Sequence, residues 1–347
     1  SFKAAGYVTG IFGKWHNGAN HPTTARGQGF DEFFGFVGGF FSNYFDPALE
    51  HDGFTAVRKG FITDVLADAA MGFIEKNRSQ PFFCYVPFNA CHSPMQAPDG
   101  LFAKYTKLGF KPKTAAVYAM IENLDANVGR VLAKLDSLGL AENTIVIFTS
   151  DNGGMSAANF GRPDRVVAPT ALNAAFATSN LPLRGAKGWL YEGGIRVPLF
   201  IRWPGRSASG TVSNVPVIGT DLYPTILEMV GAPALPAQHV DGVSLAGLAR
   251  GGPAPERSAL FWHFPHYSNH GMQSPGGAVR QGDYKLLEYF ENHTVQLFNL
   301  RDDVGEQRDL SREQPERVRQ LTALLHNWRR QVSAAMMEPN PDYKGQE

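Results

Sequence analysis

The sequence predicts an α/β fold with a largely parallel sheet flanked by helices, followed by a smaller C-terminal part with an antiparallel sheet and one helix. Up to about residue 255, apolar runs of strand length alternate with segments whose apolar residues recur at helical spacing, which is typical of a parallel sheet covered by helices. Beyond that point short strand candidates follow one another closely, which indicates hairpins. We therefore expect an α/β domain over residues 1–255 and an α+β subdomain over residues 256–347.

In the first part, continuous short apolar runs predict buried strands, and apolar residues three and four positions apart predict helices. The predicted strands are residues 7–12, 82–88, 144–149 and 197–203. The predicted helices are residues 61–76, 117–135 (with Gly139 as its end) and 221–230. From residue 156 to 182 the pattern is lost among Ala, Asn, Pro and Gly, which indicates an exposed excursion.

In the second part, short apolar runs alternate with turn residues, and a helical pattern closes the chain. The predicted strands are residues 260–264, 278–281, 284–289 and 295–300, and the predicted closing helix covers residues 318–332.

Composition excludes several classes of protein. Hydrophobic residues make up 43% of the 347 residues, which is typical of a chain that forms a core. Lys and Arg number 32, as do Asp and Glu, so no overall charge favours nucleic acid or an anionic membrane. No apolar run approaches the length of about 18 residues that a membrane span needs, and two cysteines, Cys84 and Cys91, are too few for a disulfide framework. The chain opens without Met at Ser1, so we expect its true start to lie upstream.

Polar residues follow three of the predicted strands, and a fourth group precedes the predicted strand 197–203 in a glycine-rich loop. In open α/β sheets ligands bind beyond the carboxyl ends of the strands, so these residues are the candidates for a site. They are Lys14 and His16, His92, Asp151 and Asn152, and Lys187.

Each candidate also has a purely structural interpretation. Residues 151–154 (DNGG) form a common turn sequence, and Lys14, His16 and Lys187 fit solvated loops. His92 fits a histidine in a proline turn. Taken together, a carboxylate–amide pair for a hard cation, two lysines and two histidines indicate a site that binds a tetrahedral oxyanion ester and cleaves it.

At these residues the chain resembles the type I sulfatases of the alkaline phosphatase superfamily, which use a formylglycine nucleophile. The resembling segments occur in the family's order and cover nearly the whole chain: residues 6–16 (GYVTGIFGKWH), 29–36, 92–94 (HSP), 150–154, 183–198, 278–286, 297–300 and Glu306. The resemblance implies an alkaline phosphatase-like sheet.

The resemblance also implies a role for each candidate. Asp151 and Asn152 would be ligands of a calcium ion, with Mg²⁺ the less favoured cation. Lys14 and His16 would orient and deprotonate the hydrated aldehyde, His16 being the base that expels sulfate. His92 and Lys187 would bind the sulfate group. Arg184, in the same motif as Lys187, is expected to bind substrate.

An aromatic and histidine-rich stretch, residues 262–267, is a candidate for binding a sugar. His263, His266 and Tyr267 could stack on a sugar face, and the alternative is a packed hairpin.

One signature of the family is absent from these 347 residues: Cys or Ser followed by x-Pro-x-Arg. Neither Cys84 nor Cys91 has Pro and Arg at those offsets. We expect the nucleophile, together with two metal-binding aspartates, to lie upstream. The chain by itself is then expected to lack sulfatase turnover and to bind Ca²⁺ weakly, and to be prone to aggregation because a central strand is missing.

The sequence thus predicts part of an enzyme that hydrolyses sulfate esters, on a carbohydrate or an aryl ester. The alternatives are a phosphonate or phosphodiester hydrolase of the same superfamily and a catalytically dead binder of sulfated glycans. The resemblance further implies a formylglycine-generating maturation enzyme as partner and a periplasmic or secreted location. No nucleic acid and no membrane span are expected.

Overall fold

The computed structural model describes residues 1–155, 179–268, 273–338 and 340–342. The chain divides into two compact units, one formed by residues 1–146 and 201–255 and the other by residues 147–200 and 256–347. The second unit thus combines a middle segment of the chain with its C-terminal part. The predicted excursion falls largely on residues 156–178, outside the described residues. The predicted domains, 1–255 and 256–347, stay a prediction.

The first unit contains a five-stranded sheet. Its strands are β1 (Val8–Lys14), β2 (Glu32–Phe36), β3 (Ala48–His51), β4 (Phe54–Val57) and β5 (Phe82–Tyr85), in the order β4-β3-β2-β1-β5. Strand β1 pairs in parallel with both β2 and β5, whereas β3 and β4 continue the sheet as an antiparallel hairpin. The sheet is therefore mixed, and the predicted α/β class is confirmed.

The helices, numbered along the chain, are α1 (Ile62–Lys76), α2 (Asp99–Lys107), α3 (Pro112–Ser137), α4 (Glu192–Ile195), α5 (Leu222–Met229), α6 (Ala246–Ala249) and α7 (Pro315–Gln331). Helix α1 buries Leu66, Ala70 and Phe73, which are spaced to lie on one face. The ring of Phe73 lies 5.2 Å from that of Phe12 on β1. One face of the sheet is therefore covered by α1, as the apolar periodicity predicts. Among the described residues no helix is both long and apolar enough to cross a membrane.

Two glycines let the end of β1 approach its neighbours. A Cβ atom on Gly35 of β2 would lie 1.9 Å from the carbonyl oxygen of Gly13. Gly13 itself has φ +148° and lies against Pro87, where a Cβ atom would be 2.2 Å from the carbonyl oxygen. Side chains at these positions would therefore force the carboxyl ends of the strands apart.

The second unit contains a four-stranded antiparallel sheet. Strands β8 (Leu260–Phe264), β9 (Gly276–Gln281), β10 (Tyr284–Tyr289) and β11 (Val295–Asn299) lie in sequence order. A separate two-stranded sheet pairs β6 (Val146–Thr149) with β7 (Leu199–Arg202), and the division between the units falls within these two strands.

The two faces of the antiparallel sheet have different partners because side chains alternate along each strand. Val279, Leu286 and Leu297 pack with Leu321 and Leu325 of α7. The opposite face packs against the segment that precedes α4, in a cluster of Ala186, Trp189, Leu190, Tyr191, Ala278, Leu287, Tyr289, Phe298 and Leu300. The predicted C-terminal antiparallel sheet with one helix is confirmed.

Phe12 is fully buried between the sheet and α1, whereas Phe54 on β4 is 82% exposed. We expect Phe12→Ala to lower the free energy of unfolding by about 3–5 kcal/mol, because it leaves a cavity in the core. Phe54→Ala is the matched control and is expected to change it by less than about 0.5 kcal/mol. Urea denaturation measures both, and equal losses in the two variants would contradict the described core.

Candidate active site

The carboxyl end of β1 carries Lys14 and leads directly to His16. The backbone amide of Lys14 donates to the carbonyl oxygen of Pro87, which follows β5, at 2.9 Å. The amide of His16 donates to Val37, which follows β2, at 3.1 Å. The ends of three parallel strands therefore meet around Lys14 and His16, at the edge where α/β sheets bind ligands.

His16 has a constrained backbone and a close glycine neighbour. Its φ is +53°, in the left-handed region that few non-glycine residues adopt. Its exposed imidazole lies against Gly39, where a Cβ atom would come within 2.1 Å of Nε2. The loop after β2 therefore helps to define where the ring lies.

His92 lies in the loop after β5 and contacts the same loop as His16. Its Nδ1 is 2.9 Å from the carbonyl oxygen of Ser93, which accepts a hydrogen bond and so places a proton on Nδ1. Its ring lies 6.2 Å from that of Phe40, the residue after Gly39. Lys14, His16 and His92 thus gather at one edge of the sheet. With Nδ1 donating to Ser93, a protonated His92 would donate from Nε2.

Tyr44 is a residue of this edge that sequence reasoning missed. Its buried hydroxyl lies 2.7 Å from the carbonyl oxygen of His92 and 3.1 Å from that of Asn89, so it donates to the turn that carries His92. Burial raises the pKa of Tyr44, which keeps the hydroxyl protonated and able to donate. A single tyrosine in a loop rich in Gly and Phe carries no local sequence signal for this contact.

In the second unit, the turn with Asp151 and Asn152 is hydrogen-bonded to the segment that carries Lys187. The amide of Gly153 donates to Gly194 at 3.0 Å, and the amide of Lys187 donates to Gly154 at 3.4 Å. The structure therefore joins the turn that carries the predicted cation ligands to the segment that carries the predicted anion-binding lysine.

Asn180, which sequence reasoning also missed, joins the two segments from a third position. Its Nδ2 donates to the carbonyl oxygen of Gly154 at 2.9 Å and to that of Gly185 at 3.1 Å. A single amide thereby fixes the spacing between the turn after β6 and the loop before α4. Only the folded chain shows this contact, because Asn180 lies 26 residues from Gly154.

The residues present do not by themselves make a calcium site. Ca²⁺ takes about six to eight oxygen ligands, and Asp151, which is exposed, and Asn152 offer one carboxylate and one amide. Within the described ranges, no group of three or more His, Cys, Asp or Glu side chains could hold a metal ion.

Arg184 and Lys187 differ in their surroundings. Nη1 of Arg184 donates to the carbonyl oxygen of Glu306 at 2.7 Å, and its guanidinium lies 4.1 Å from the centre of the Tyr191 ring. These contacts hold Arg184 within the protein, and its predicted role in binding substrate stays a prediction. Lys187 is half-buried. No carboxylate of the described part of the chain pairs with it, and its predicted role in binding sulfate stays a prediction.

The aromatic stretch from Trp262 to Tyr267 is divided between two faces of the antiparallel sheet. Nε2 of His263 lies 2.7 Å from the carbonyl oxygen of Ala335, beyond α7, so this side chain lies on the face that α7 covers. His266 stacks on Phe264 with ring centres 3.9 Å apart. Tyr267 is exposed, and its hydroxyl donates to Glu291. The contact of His263 with Ala335 fits the alternative of a packed hairpin. The sugar-binding roles of His263, His266 and Tyr267 stay predictions.

Neither cysteine is a nucleophile by its environment. Burial raises the pKa of the Cys91 thiol to about 11 and raises the pKa of Cys84 as well. Both therefore stay protonated at neutral pH, and the thiolate is the reactive form.

Comparison with known proteins identifies the family. Residues 1–232 match the sequence model of the sulfatase family, and residues 186–333 match a model described as the C-terminal part of N-sulphoglucosamine sulphohydrolase. The chain belongs to the sulfatase family. The resemblance that the motifs predict is thereby confirmed.

Named relatives extend the comparison. A sulfatase of Formosa agariphila is 39% identical over 277 residues, which cover 73% of this chain and 46% of that protein. The steryl-sulfatase of Mus musculus is 32% identical over 310 residues, covering 82% and 46% respectively. The chain thus spans about half the length of these two curated relatives.

Solved sulfatase structures share the fold. The crystal structure of Ps i-CgsB superposes with a TM-score of 0.80 at 28% identity, covering 94% of this chain and 72% of that one. A structure from Bacteroides fragilis, described as the putative sulfatase yidJ, gives a TM-score of 0.75 at 21% identity, covering 96% and 76%. The α/β class with its C-terminal antiparallel sheet is therefore that of sulfatases.

Gly39→Ala is expected to displace the imidazole of His16, because the new Cβ atom would overlap Nε2. Gly38→Ala is the matched control, since its Cβ atom would lie 3.4 Å from the nearest atom. NMR spectra of protein with labelled histidine should show the His16 signals shifted in Gly39→Ala and unchanged in Gly38→Ala. Unchanged signals in both variants would show that Gly39 does not define the position of His16.

The 347-residue chain is expected to bind Ca²⁺ with a Kd of about 1 mM or weaker, because two oxygen ligands leave most of the coordination shell to water. Asp151→Asn should remove the remaining binding, and Asp302→Asn, an exposed acidic residue of the same unit, should not. Calorimetric titration measures this, and tight binding by the chain would contradict the expectation.

Proposed function

We propose that the protein containing this chain hydrolyses sulfate esters of carbohydrates and releases inorganic sulfate. The observation that carries the proposal is the hydrogen-bonded pairing of the Asp151–Asn152 turn with the Lys187 segment in a chain of the sulfatase family. A lysine that has no carboxylate partner among the described residues, on a segment joined to the turn of Asp151 and Asn152, suits the binding of an anionic ester.

Two of the similar proteins support carbohydrate as the substrate class. Ps i-CgsB, at 29% identity, has been crystallised in complex with k-i-k-neocarrahexaose. The N-acetylgalactosamine-6-sulfatase of Canis lupus familiaris is 31% identical over 75% of this chain. The sugar bound and the position of the sulfate belong to those proteins, and for this chain we propose only the class of sulfated carbohydrate.

The side chains of this chain can be assigned roles from their chemistry. Breaking the S–O bond of a sulfate ester concentrates negative charge on the sulfate oxygens and on the leaving oxygen. Ammonium groups such as those of Lys14 and Lys187 stabilise that charge. A protonated His92, whose Nδ1 donates to Ser93, can give the Nε2 proton to the leaving alkoxide. His16 is proposed to accept a proton as the base.

Further components are proposed from family membership. A formylglycine would supply the nucleophile that attacks sulfur, formed by a maturation enzyme from a Cys or Ser outside these residues. Calcium would be the cation, with further ligands added to Asp151 and Asn152. A periplasmic or secreted location is part of the same proposal.

The proposal is tested on the complete protein, whose coding sequence should supply Cys or Ser-x-Pro-x-Arg in frame upstream of the Ser1 codon. Sulfate release from sulfated oligosaccharides, followed by ion chromatography, should fall in Lys187→Ala by about 10²-fold or more in kcat/KM, because one charged contact to the transition state is lost. The control Arg312→Ala removes an exposed cation of the same unit and should leave turnover unchanged.

The other outcomes separate the alternatives. A gene without the signature, and a protein that retains sulfated glycans on a column without hydrolysing them, would replace the proposal with a glycan-binding function. Turnover of phosphonates or phosphodiesters in preference to sulfate esters would identify the related hydrolase.

A further inference from the structure

A lysine and two glutamates form a buried charged triad in the second unit, outside the residues assigned above. Nζ of Lys285 on β10 lies 2.9 Å from Oε1 of Glu192, to which it donates, and 2.9 Å from Oε1 of Glu306, with which it forms an ion pair. The side chains of Lys285 and Glu306 are 0% exposed and that of Glu192 is 3% exposed. We call Glu192, Lys285 and Glu306 the buried triad.

The buried triad is joined to the segment that carries Arg184 and Lys187. Oε2 of Glu306 accepts a hydrogen bond from the amide of Glu192 at 2.7 Å, at the start of α4. The carbonyl oxygen of Glu306 accepts a hydrogen bond from Nη1 of Arg184. Glu306 therefore holds both ends of residues 184–192, and Lys285 holds Glu306 and Glu192.

Residues 184–194 are folded too tightly for one end to move without the other. The amide of Gly193 donates to the carbonyl oxygen of Arg184 at 2.7 Å. A Cβ atom on Gly193 would lie 2.4 Å from the carbonyl oxygen of Gly185, and one on Gly194 would lie 2.2 Å from that of Trp189. A displacement of Glu192 is therefore passed on to the turn with Lys187.

The charges of the buried triad are not a clear source of stability for the fold. Two carboxylates and one ammonium leave one negative charge in excess, faced by Arg196 and Arg280, each 3.8 Å from Oε2 of Glu192. Burial raises the pKa of Glu306, while the charge of Lys285 lowers it. Removing ions from water can cost more than their attraction returns, so the buried triad is weak evidence for stability, and a role in fixing geometry is the hypothesis that we test.

We propose that Lys285 is a positioning residue for sulfate binding: through Glu192 and Glu306 it fixes the segment of residues 184–194 and thereby the ammonium of Lys187. This inference rests on the proposed function in that it takes sulfate as the anion that Lys187 binds. Lys285 itself touches no substrate, because it is fully buried under that segment.

The test replaces Lys285 in the complete protein and measures two properties. In Lys285→Met the inhibition constant of inorganic sulfate should rise about 10- to 100-fold, the usual cost of losing a group that orients a ligand-binding side chain. Hydrogen exchange of the backbone amides of residues 185–194 should become faster. Lys134→Met, which removes a lysine paired with Glu75 on the surface, is the matched control and should change neither.

A second variant separates positioning from charge compensation. Lys285→Met alone removes the ammonium that Glu192 and Glu306 share and is expected to be less stable. Lys285→Met/Glu306→Gln restores the net charge of the buried triad, so its Tm should recover, yet fast exchange and weak sulfate inhibition should persist. Recovery of sulfate inhibition together with Tm would overturn the proposal.

The readouts also distinguish the two proposals. If the unaltered protein neither binds inorganic sulfate nor releases it from esters, the proposed function fails, while hydrogen exchange still decides whether Lys285 fixes residues 185–194. Unchanged exchange of these amides in both variants would overturn the positioning role whatever the activity.

Discussion

The backbone at Gly153 approaches that of Gly193 so closely that no side chain fits between them, and the candidate site of the second unit depends on this contact. A Cβ atom on Gly153 would lie 1.7 Å from the carbonyl oxygen of Gly193. Because the backbones touch, the Gly153 amide reaches Gly194 and the Lys187 amide reaches Gly154. The side chains on either side of the contact, Asp151 and Lys187, then lie on segments with a fixed spacing.

In the first unit, close approach of parallel strands brings the candidate residues together. Its strand β1 ends between β5 and β2, and glycine at positions 13 and 35 lets the strand ends come close. Lys14, His16 and His92 can each carry a positive charge, so they do not attract one another. The geometry of the backbone is therefore what brings them to the same edge of the sheet. Tyr44 also helps to fix this edge, because its hydroxyl donates hydrogen bonds to the carbonyl oxygens of Asn89 and His92 in the turn that carries His92.

What the sequence could predict follows from how local each signal is. Strands β8 and β10 have the predicted bounds, Leu260–Phe264 and Tyr284–Tyr289, because turn residues delimit their apolar runs. The hairpin of β3 and β4 was not predicted, since Phe54–Val57 is exposed along its whole length and shows no alternation of burial. The candidate residues could be named from the sequence because each stands in a continuous motif, and their roles stay predictions. Tyr44, Asn180 and the partners of Lys285 act through contacts between distant parts of the chain, so no neighbouring residue marks them.

Two lysines of the second unit show how environment decides the role of one residue type. Lys285 is enclosed by two carboxylates, so its charge is already engaged and it is suited to holding structure. Lys187 is half-buried in a glycine-rich turn and has no carboxylate partner among the described residues. In a protein with 32 basic and 32 acidic residues there is no overall field to attract an anion, and recognition has to come from such a local excess of positive charge. In our proposal, a lysine held by two glutamates positions a second lysine that has no carboxylate partner among the described residues, which creates that excess without changing the net charge of the protein.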